Sequence, residues 1–180
     1  MCLTGPHLTV GLVTIHEPLR RVPDLLNAEN IIRTGRHLAE FAERRAKEQP
    51  RIAVAGLNPH AGEDGHMGTE DAEIIAPAVE ELRRLLPHAT FSKPLPPDTL
   101  FHQAARGVWD AVLCMYHDQG LIPLKLLDFD TAVNITLGLP NIRTSPDHGT
   151  AFDIAGQGKA SAESMIAAIN LAAELAARPG

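Results

Sequence analysis

The sequence predicts a layered α/β/α fold built on a mostly parallel sheet. Short apolar, β-branched runs alternate with amphipathic stretches along the chain. Several of those runs are apolar at consecutive positions, as strands buried on both faces are. The length, 180 residues with 44% hydrophobic and 21% charged residues, supports one domain, or two small ones, with a sizeable core. That composition excludes a disordered or collagen-like chain.

The elements run in order. Leu8 to Thr14 is predicted as the first strand, and Pro18 and Pro23 break the segment after it. Leu25 to Lys47 reads as a helix with Leu26, Ile31, Ile32, Leu38, Phe41 and Ala42 near one face, and Gly35 weakens it or marks a junction. Arg51 to Gly56 is a second buried strand, and Asn58 to Gly68 a polar, glycine-rich loop. Thr69 is placed to cap the next helix, with Glu70 and Asp71 in its first turn and Ile74, Ile75, Val79, Leu82 and Leu86 on its apolar face. Ala89 to Phe91 reads as a short strand, Lys93 to Pro97 as a proline-rich connection, and Asp98 as the cap of a short helix through Ala105. Ala111 to Tyr116 is a third clear strand, Gln119 to Leu127 a helix, Ala132 to Thr136 a fourth strand and Ile142 to Thr144 a short fifth. Ser161 caps an alanine-rich terminal helix that has Glu163 in its first turn and runs through Ile166 to Ala177.

Charge and cysteine usage narrow the function classes. Lys plus Arg is 16 against 22 for Asp plus Glu, a net charge of -6, which argues against a general nucleic-acid binder. No apolar run approaches the roughly 20 residues of a membrane span. The first ten residues lack the pattern of a signal peptide. Two cysteines are too few for a disulfide framework, so a reducing cytoplasm is expected.

Three predicted strands end in, or run straight into, a histidine: His16, His60 and His117. Ligands of open α/β sheets bind outside the carboxyl ends of the strands, where these imidazoles can converge on a divalent metal such as Zn, Co, Ni or Fe. The bland alternative for each is a loop histidine at a helix start. A second set is Lys125, Asn134 and Arg143, whose cations suit a phosphate or carboxylate, although taken singly Lys125 fits a surface residue and Arg143 an ion-pair partner. The third is the loop Asp147 to Thr150 with the stretch after it, where backbone N–H groups can face a cofactor. No G-x-G-x-x-G is present, so an ordinary dinucleotide fingerprint is not supported.

Six ordered motifs carry a resemblance. They are Gly56-Leu-Asn-Pro-His-Ala-Gly-Glu63, His66-Met-Gly-Thr-Glu70, Pro96-Pro-Asp-Thr-Leu-Phe101, Met115-Tyr-His-Asp-Gln-Gly-Leu121, Asn134-Ile-Thr-Leu-Gly-Leu-Pro140 and Ile142-Arg-Thr-Ser-Pro-Asp-His-Gly-Thr-Ala151. Together, over nearly the whole chain, they resemble the 4-hydroxythreonine-4-phosphate dehydrogenase family of vitamin B6 biosynthesis. His148 to Gly156 is also similar to the cofactor loop of isocitrate and isopropylmalate dehydrogenases, whose fold that family shares.

The resemblance implies a divalent metal (Zn, Co, Mg or Mn) on His16, His60 and His117, and substrate contacts from Lys125, Asn134 and Arg143. It implies NAD or NADP beside His148, Gly149, Thr150 and Ala151. It further implies a cytoplasmic homodimer whose shared active site draws ligands from both chains. The reaction implied is oxidation of a small phosphorylated hydroxy acid, followed by loss of CO2. Asp98 and Asp118 are candidates for proton transfer or for supporting the metal ligands; a helix cap for Asp98 and a solvated carboxylate for Asp118 are the alternatives.

Family members are longer, so residues 1–180 are expected to be the C-terminal portion of such a dehydrogenase, without the N-terminal His-Thr pair that contacts substrate. Pro146 stands where a small aliphatic residue is expected, and Leu126-Leu127-Asp128 where an aromatic residue and a glycine are expected. Three alternatives stay open: a related dehydrogenase acting on 4-phospho-threonate or 4-phospho-erythronate, one acting on a cyclic dihydrodiol carboxylate, and an inactive metal-binding or dimerisation fragment.

Overall fold

The computed structural model describes residues 1–45 and 48–178. Its strands are β1 (Cys2–Thr4), β2 (Thr9–Leu12), β3 (Arg51–Ala55), β4 (Thr90–Leu95), β5 (Ala111–Cys114), β6 (Val133–Ile135) and β7 (Thr144–Pro146). They form one sheet of order β4-β3-β5-β2-β1-β6-β7. β3 pairs in parallel with β4 and β5, and β5 with β2. β1 is antiparallel to β2 and β6, and β6 to β7. The predicted α/β layering therefore holds, and the three-residue β1 adds an antiparallel wing.

Helices α1 (Val22–Leu25), α2 (Ala28–Arg44), α3 (Ala76–Leu85), α4 (Pro97–Ala105), α5 (His117–Asp128) and α6 (Glu163–Ala176) cover the sheet. Strand alternation sorts the core into two sides. Ile52, Val54, Leu113, Val133 and Ile135 face one side, with Ile31 and Leu38 of α2, Val79 and Leu82 of α3, and Leu171 and Leu175 of α6. Val10, Leu12, Ala53, Val112 and Cys114 face the other, with Leu100 of α4 and Leu121 and Leu124 of α5. Each of these side chains, taken out of water, contributes about 1.5–3 kcal/mol if it is as large as valine or leucine.

Several predicted elements need correction. The helix predicted over Leu25–Lys47 is two helices. Leu26 turns extended and Asn27 caps α2, its side chain accepting the Asn30 N–H at 2.9 Å; the predicted end at Lys47 lies outside the described residues. Gly35 marks a close approach rather than a break, since an added Cβ would lie 2.6 Å from Leu82 of α3. The connection predicted over Lys93–Pro97 is largely strand: β4 runs through Pro94 to Leu95. β4 is the sheet edge, where a missing N–H costs no ladder bond.

Three predicted caps also fail. The Thr69 hydroxyl donates to Glu73, and the chain enters α3 through a π-type turn, Asp71–Ile75. Pro96 holds the cap position of α4, leaving Asp98 in the first turn, where a carboxylate still complements the helix dipole. Ala162 holds it for α6, although Ser161 Oγ accepts the Glu163 N–H at 3.3 Å.

Both cysteines are free and fully buried. Burial pushes the Cys2 thiol up from 9.0 to about 12, and the Cys114 thiol, near Cys2, higher still. The folded value lies above the unfolded one, so the Cys2 contribution to stability is whole below about pH 9 and is lost as pH rises toward about 12. Neither thiol is expected to react with a thiol reagent in the folded chain, and both are expected to react after denaturation. Rapid modification of the native chain would contradict this burial.

Among the described residues no helix is long and apolar enough to cross a membrane.

Candidate functional site

The carboxyl ends of β2, β5 and β3 lie side by side. Past its last strand residue, β2 stays locked to β5: Val13 N–H donates to Cys114 O at 2.9 Å, and Thr14 N–H to Met115 O at 3.1 Å. Thr14 Oγ1 donates to the same Met115 oxygen at 2.7 Å. His16 and His117 each stand two residues beyond this join, and their rings lie 5.5 Å apart, centroid to centroid, tilted by 45°.

The two rings line a cleft of about 380 Å³ together with Ile15, Glu17, Tyr116 and Asp118. Asp118 Oδ1 sits 2.7 Å from His117 Nδ1. A carboxylate on Nδ1 sets the ring's orientation and leaves Nε2 for a ligand. Burial, then the Asp118 and Cys114 charges, push the Tyr116 phenol up.

His60 stands on a different structure. Residues His60, Ala61, Gly62, Glu63 and Asp64 have φ of 54°, 53°, 85°, 42° and 54°, a left-handed turn in which four residues are not glycine. Each of the four costs about 1–2 kcal/mol there, so the surroundings must hold the turn. Asp71, 3% exposed, does part of this. Its carboxylate accepts from Leu57 N–H at 2.8 Å, Asn58 N–H at 3.1 Å and Asn58 Nδ2 at 3.1 Å. Asn58 Nδ2 also donates to Glu70. The Glu70 backbone N–H first, then Asn58, hold the Glu70 carboxylate below its usual range. Reading Asp71 as a first-turn acid catches its place but not its task, because its partners lie more than a dozen residues back.

The donor set fits half of a metal site. Two imidazoles on one tetrahedral ion, at about 2.0–2.1 Å from each nitrogen, place their ring centres about 5 Å apart, near the spacing of His16 and His117. The third predicted ligand, His60, does not complete the set within the chain: no three His, Cys, Asp or Glu residues of the described chain meet as a metal-holding group. Within the one chain, His16 and His117 form a pair.

The predicted substrate residues meet separate partners. Lys125 Nζ lies 3.2 Å from Asp147 Oδ2 and 5.8 Å from the centre of the Phe129 ring. Asn134, central in β6, reaches Met1 Sδ at 3.6 Å. Arg143 is exposed just before β7, not buried in a strand, and donates to Thr136 Oγ1 at 2.8 Å. It lines a cleft with His37 and Phe41 of α2. Asp98 is exposed on α4, which packs against the turn carrying His60. His148, Gly149, Thr150 and Ala151 are exposed, with Ala151 left-handed at φ 45°. His148, Gly149 and Ala151 line an apolar cavity of about 240 Å³ with Phe129 and Ile154. That space suits one flat ring rather than a whole dinucleotide.

Fold and site together define a layered α/β protein with a histidine-paired cleft at the carboxyl ends of its sheet. The family profile of pyridoxal phosphate biosynthetic protein PdxA matches residues 1–172, and the chain belongs to that family. It is 57% identical to the 4-hydroxythreonine-4-phosphate dehydrogenase of Caulobacter vibrioides, over 100% of this chain and 54% of that protein. It is 58% identical to the Geobacter metallireducens enzyme of the same name, over 98% and 51%. The crystal structure of 4-hydroxythreonine-4-phosphate dehydrogenase from Klebsiella pneumoniae superposes with a TM-score of 0.86 at 49% identity, over 97% of this chain and 53% of that one. A terephthalate 1,2-cis-dihydrodiol dehydrogenase from Burkholderia xenovorans superposes at 0.78 with 30% identity, over 96% and 54%. The chain spans about half the length of the curated relatives it matches.

Proposed function

We propose that the chain is the metal-binding half of a homodimeric dehydrogenase that oxidises 4-phosphohydroxy-L-threonine with NAD or NADP and releases CO2 from the keto acid, in pyridoxal phosphate biosynthesis. The observation that carries this reading is the His16–His117 pair at adjoining strand ends, its spacing suited to one ion. The absence of a third ligand beside the pair, among the described residues, supports a site closed by His60 of the partner subunit.

A divalent metal (Zn, Co, Mg or Mn) held by His16, His117 and His60 of the partner subunit would supply Lewis-acid polarisation of the substrate hydroxyl and carboxylate, and NAD or NADP beside His148–Ala151 would supply the hydride acceptor. The chain's own groups do the rest. Asp118 holds the His117 ring through Nδ1. Lys125 and Arg143 take the anionic ends of the substrate, an anion replacing Asp147 on the first and Thr136 on the second. Asn134 adds an amide donor. Asp98, on the helix beside the His60 turn, serves proton transfer. The loop His148–Ala151 with its apolar cavity receives one ring of the cofactor. The named substrate is favoured over a dihydrodiol carboxylate by the higher identity to the Caulobacter and Geobacter enzymes.

The test is reduction of NAD or NADP with 4-phosphohydroxy-L-threonine, by the chain supplemented with the remaining half of a relative. Turnover is expected to require added metal, to disappear in His117→Ala, and to release CO2. Turnover that survives both chelation and His117→Ala, or that occurs only with a dihydrodiol carboxylate, would overturn the reading.

A further inference from the structure

A buried line of polar groups crosses beneath all three histidine-bearing strand ends. It starts at Thr14, 6% exposed, whose hydroxyl and N–H both donate to Met115 O. It continues at Gln119, also 6% exposed. Gln119 Oε1 accepts the Met115 N–H at 2.6 Å, and Gln119 Nε2 donates to Gly56 O at 2.7 Å. From Gly56 the chain passes directly into Leu57 and Asn58, whose N–H groups Asp71 holds. The Met115 backbone is therefore held through both its N–H and its C=O. His117 stands two residues beyond it, and Gly56 leads into the turn that carries His60.

The neutral amide of Gln119 meets both demands on that position. One backbone N–H needs an acceptor and one backbone C=O needs a donor, a few ångströms apart in the core. An ionised carboxylate has no donor for Gly56 O, and an apolar side chain leaves both groups unsatisfied.

We propose that Gln119, assisted by Thr14, is a positioning residue for the histidine site. It holds the Met115 segment in place, which sets both the spacing within the His16–His117 pair and the offset of that pair from the turn that bears His60, so each chain presents its two contributions at a fixed separation. It touches neither metal nor substrate. The value of such supporting interactions for a metal site is known in general: their loss weakens metal binding by about tenfold to a hundredfold. The inference rests on the metal reading above for its consequence, but not for its geometry.

The test uses the 180-residue chain and two independent readouts. In the metal-free chain, NMR cross-peaks between protons of the His16 and His117 rings are measured. Separately, Co2+ affinity and the visible spectrum of bound Co2+ are measured. Gln119→Leu and Gln119→Glu are expected to lose the ring-to-ring cross-peaks and to bind Co2+ about tenfold to a hundredfold more weakly, while their dispersed amide spectra show a folded chain. Cross-peaks and affinity both at the parent level in either variant would overturn the proposal. Should Gln119→Leu not fold, Thr14→Val against Thr14→Ser decides. Cross-peaks that vanish in the valine variant and persist in the serine variant support the proposal, and equal cross-peaks in both overturn it. A parent chain that binds no Co2+, or binds it equally after His16→Ala, overturns the metal reading alone. The NMR result then still decides the role of Gln119.

Discussion

Asp128→Ala is expected to destabilise the chain by about 3–4 kcal/mol, among the largest effects of any single substitution in it. The carboxylate is 2% exposed at the end of α5 and takes three donors from the β1–β2 hairpin. They are the Leu8 N–H at 3.0 Å, the His7 N–H at 3.2 Å and His7 Nδ1 at 2.6 Å. Removing it strands two backbone N–H groups and frees the hairpin from α5. Because β1 lies between β2 and β6, the antiparallel wing loosens with it. Asp128→Asn keeps an acceptor and is expected to cost only about 1–2 kcal/mol. Gly5→Ala tests the same join from the other side, since its Cβ would lie 2.4 Å from the Asp128 carboxyl carbon. Combined with Asp128→Ala it is expected to cost somewhat less than the sum of the two, because the clash with the carboxyl group goes while the 2.5 Å approach to the residue 128 Cβ stays. Urea unfolding of the four chains measures this. A loss within about 0.5 kcal/mol for Asp128→Ala would remove Asp128 from the list of structural anchors.

His16→Ala and His117→Ala are each expected to weaken Zn2+ binding by roughly a hundredfold or more, as the loss of one of three protein ligands should. His60→Ala is expected to do the same. Asp118→Asn leaves the ligand in place but loosens its ring, and about a tenfold loss is expected. Acidification is expected to release the metal, because each imidazole must be neutral to bind. Calorimetric titration at neutral pH reads all four, and Zn2+ affinity unchanged by His16→Ala and His117→Ala would contradict the paired-histidine cleft.

Much of this arrangement is written in the sequence at short range. The buried strands Arg51–Ala55 and Ala111–Cys114 show as apolar runs, and the histidines just past them lie at the end of the sheet where open α/β folds in general bind ligands. Features that depend on distant partners escape such a reading. β1 is three residues long and gains its identity only from pairing with β2 and β6. Pro94 signals a break, yet an edge strand tolerates it. Asp128 meets a hairpin some 120 residues earlier in the chain, so no local pattern announces it. Gln119 looks like an ordinary helical residue, and its value appears only once β3 and β5 are neighbours. The separation of His60 from the other two histidines is likewise a matter of three-dimensional placement, since strand ends name a face of the sheet and not a point on it.

The central claim is that one metal site draws His16 and His117 from one chain and His60 from another. Mixing mutant chains tests it. His60→Ala and His117→Ala chains, each without an intact site alone, are expected to regain tight Zn2+ binding when mixed, at one site per mixed dimer. His16→Ala mixed with His117→Ala is expected to regain none, because both damage the same half. Recovery in neither mixture, or equal recovery in both, would contradict a site divided in this way.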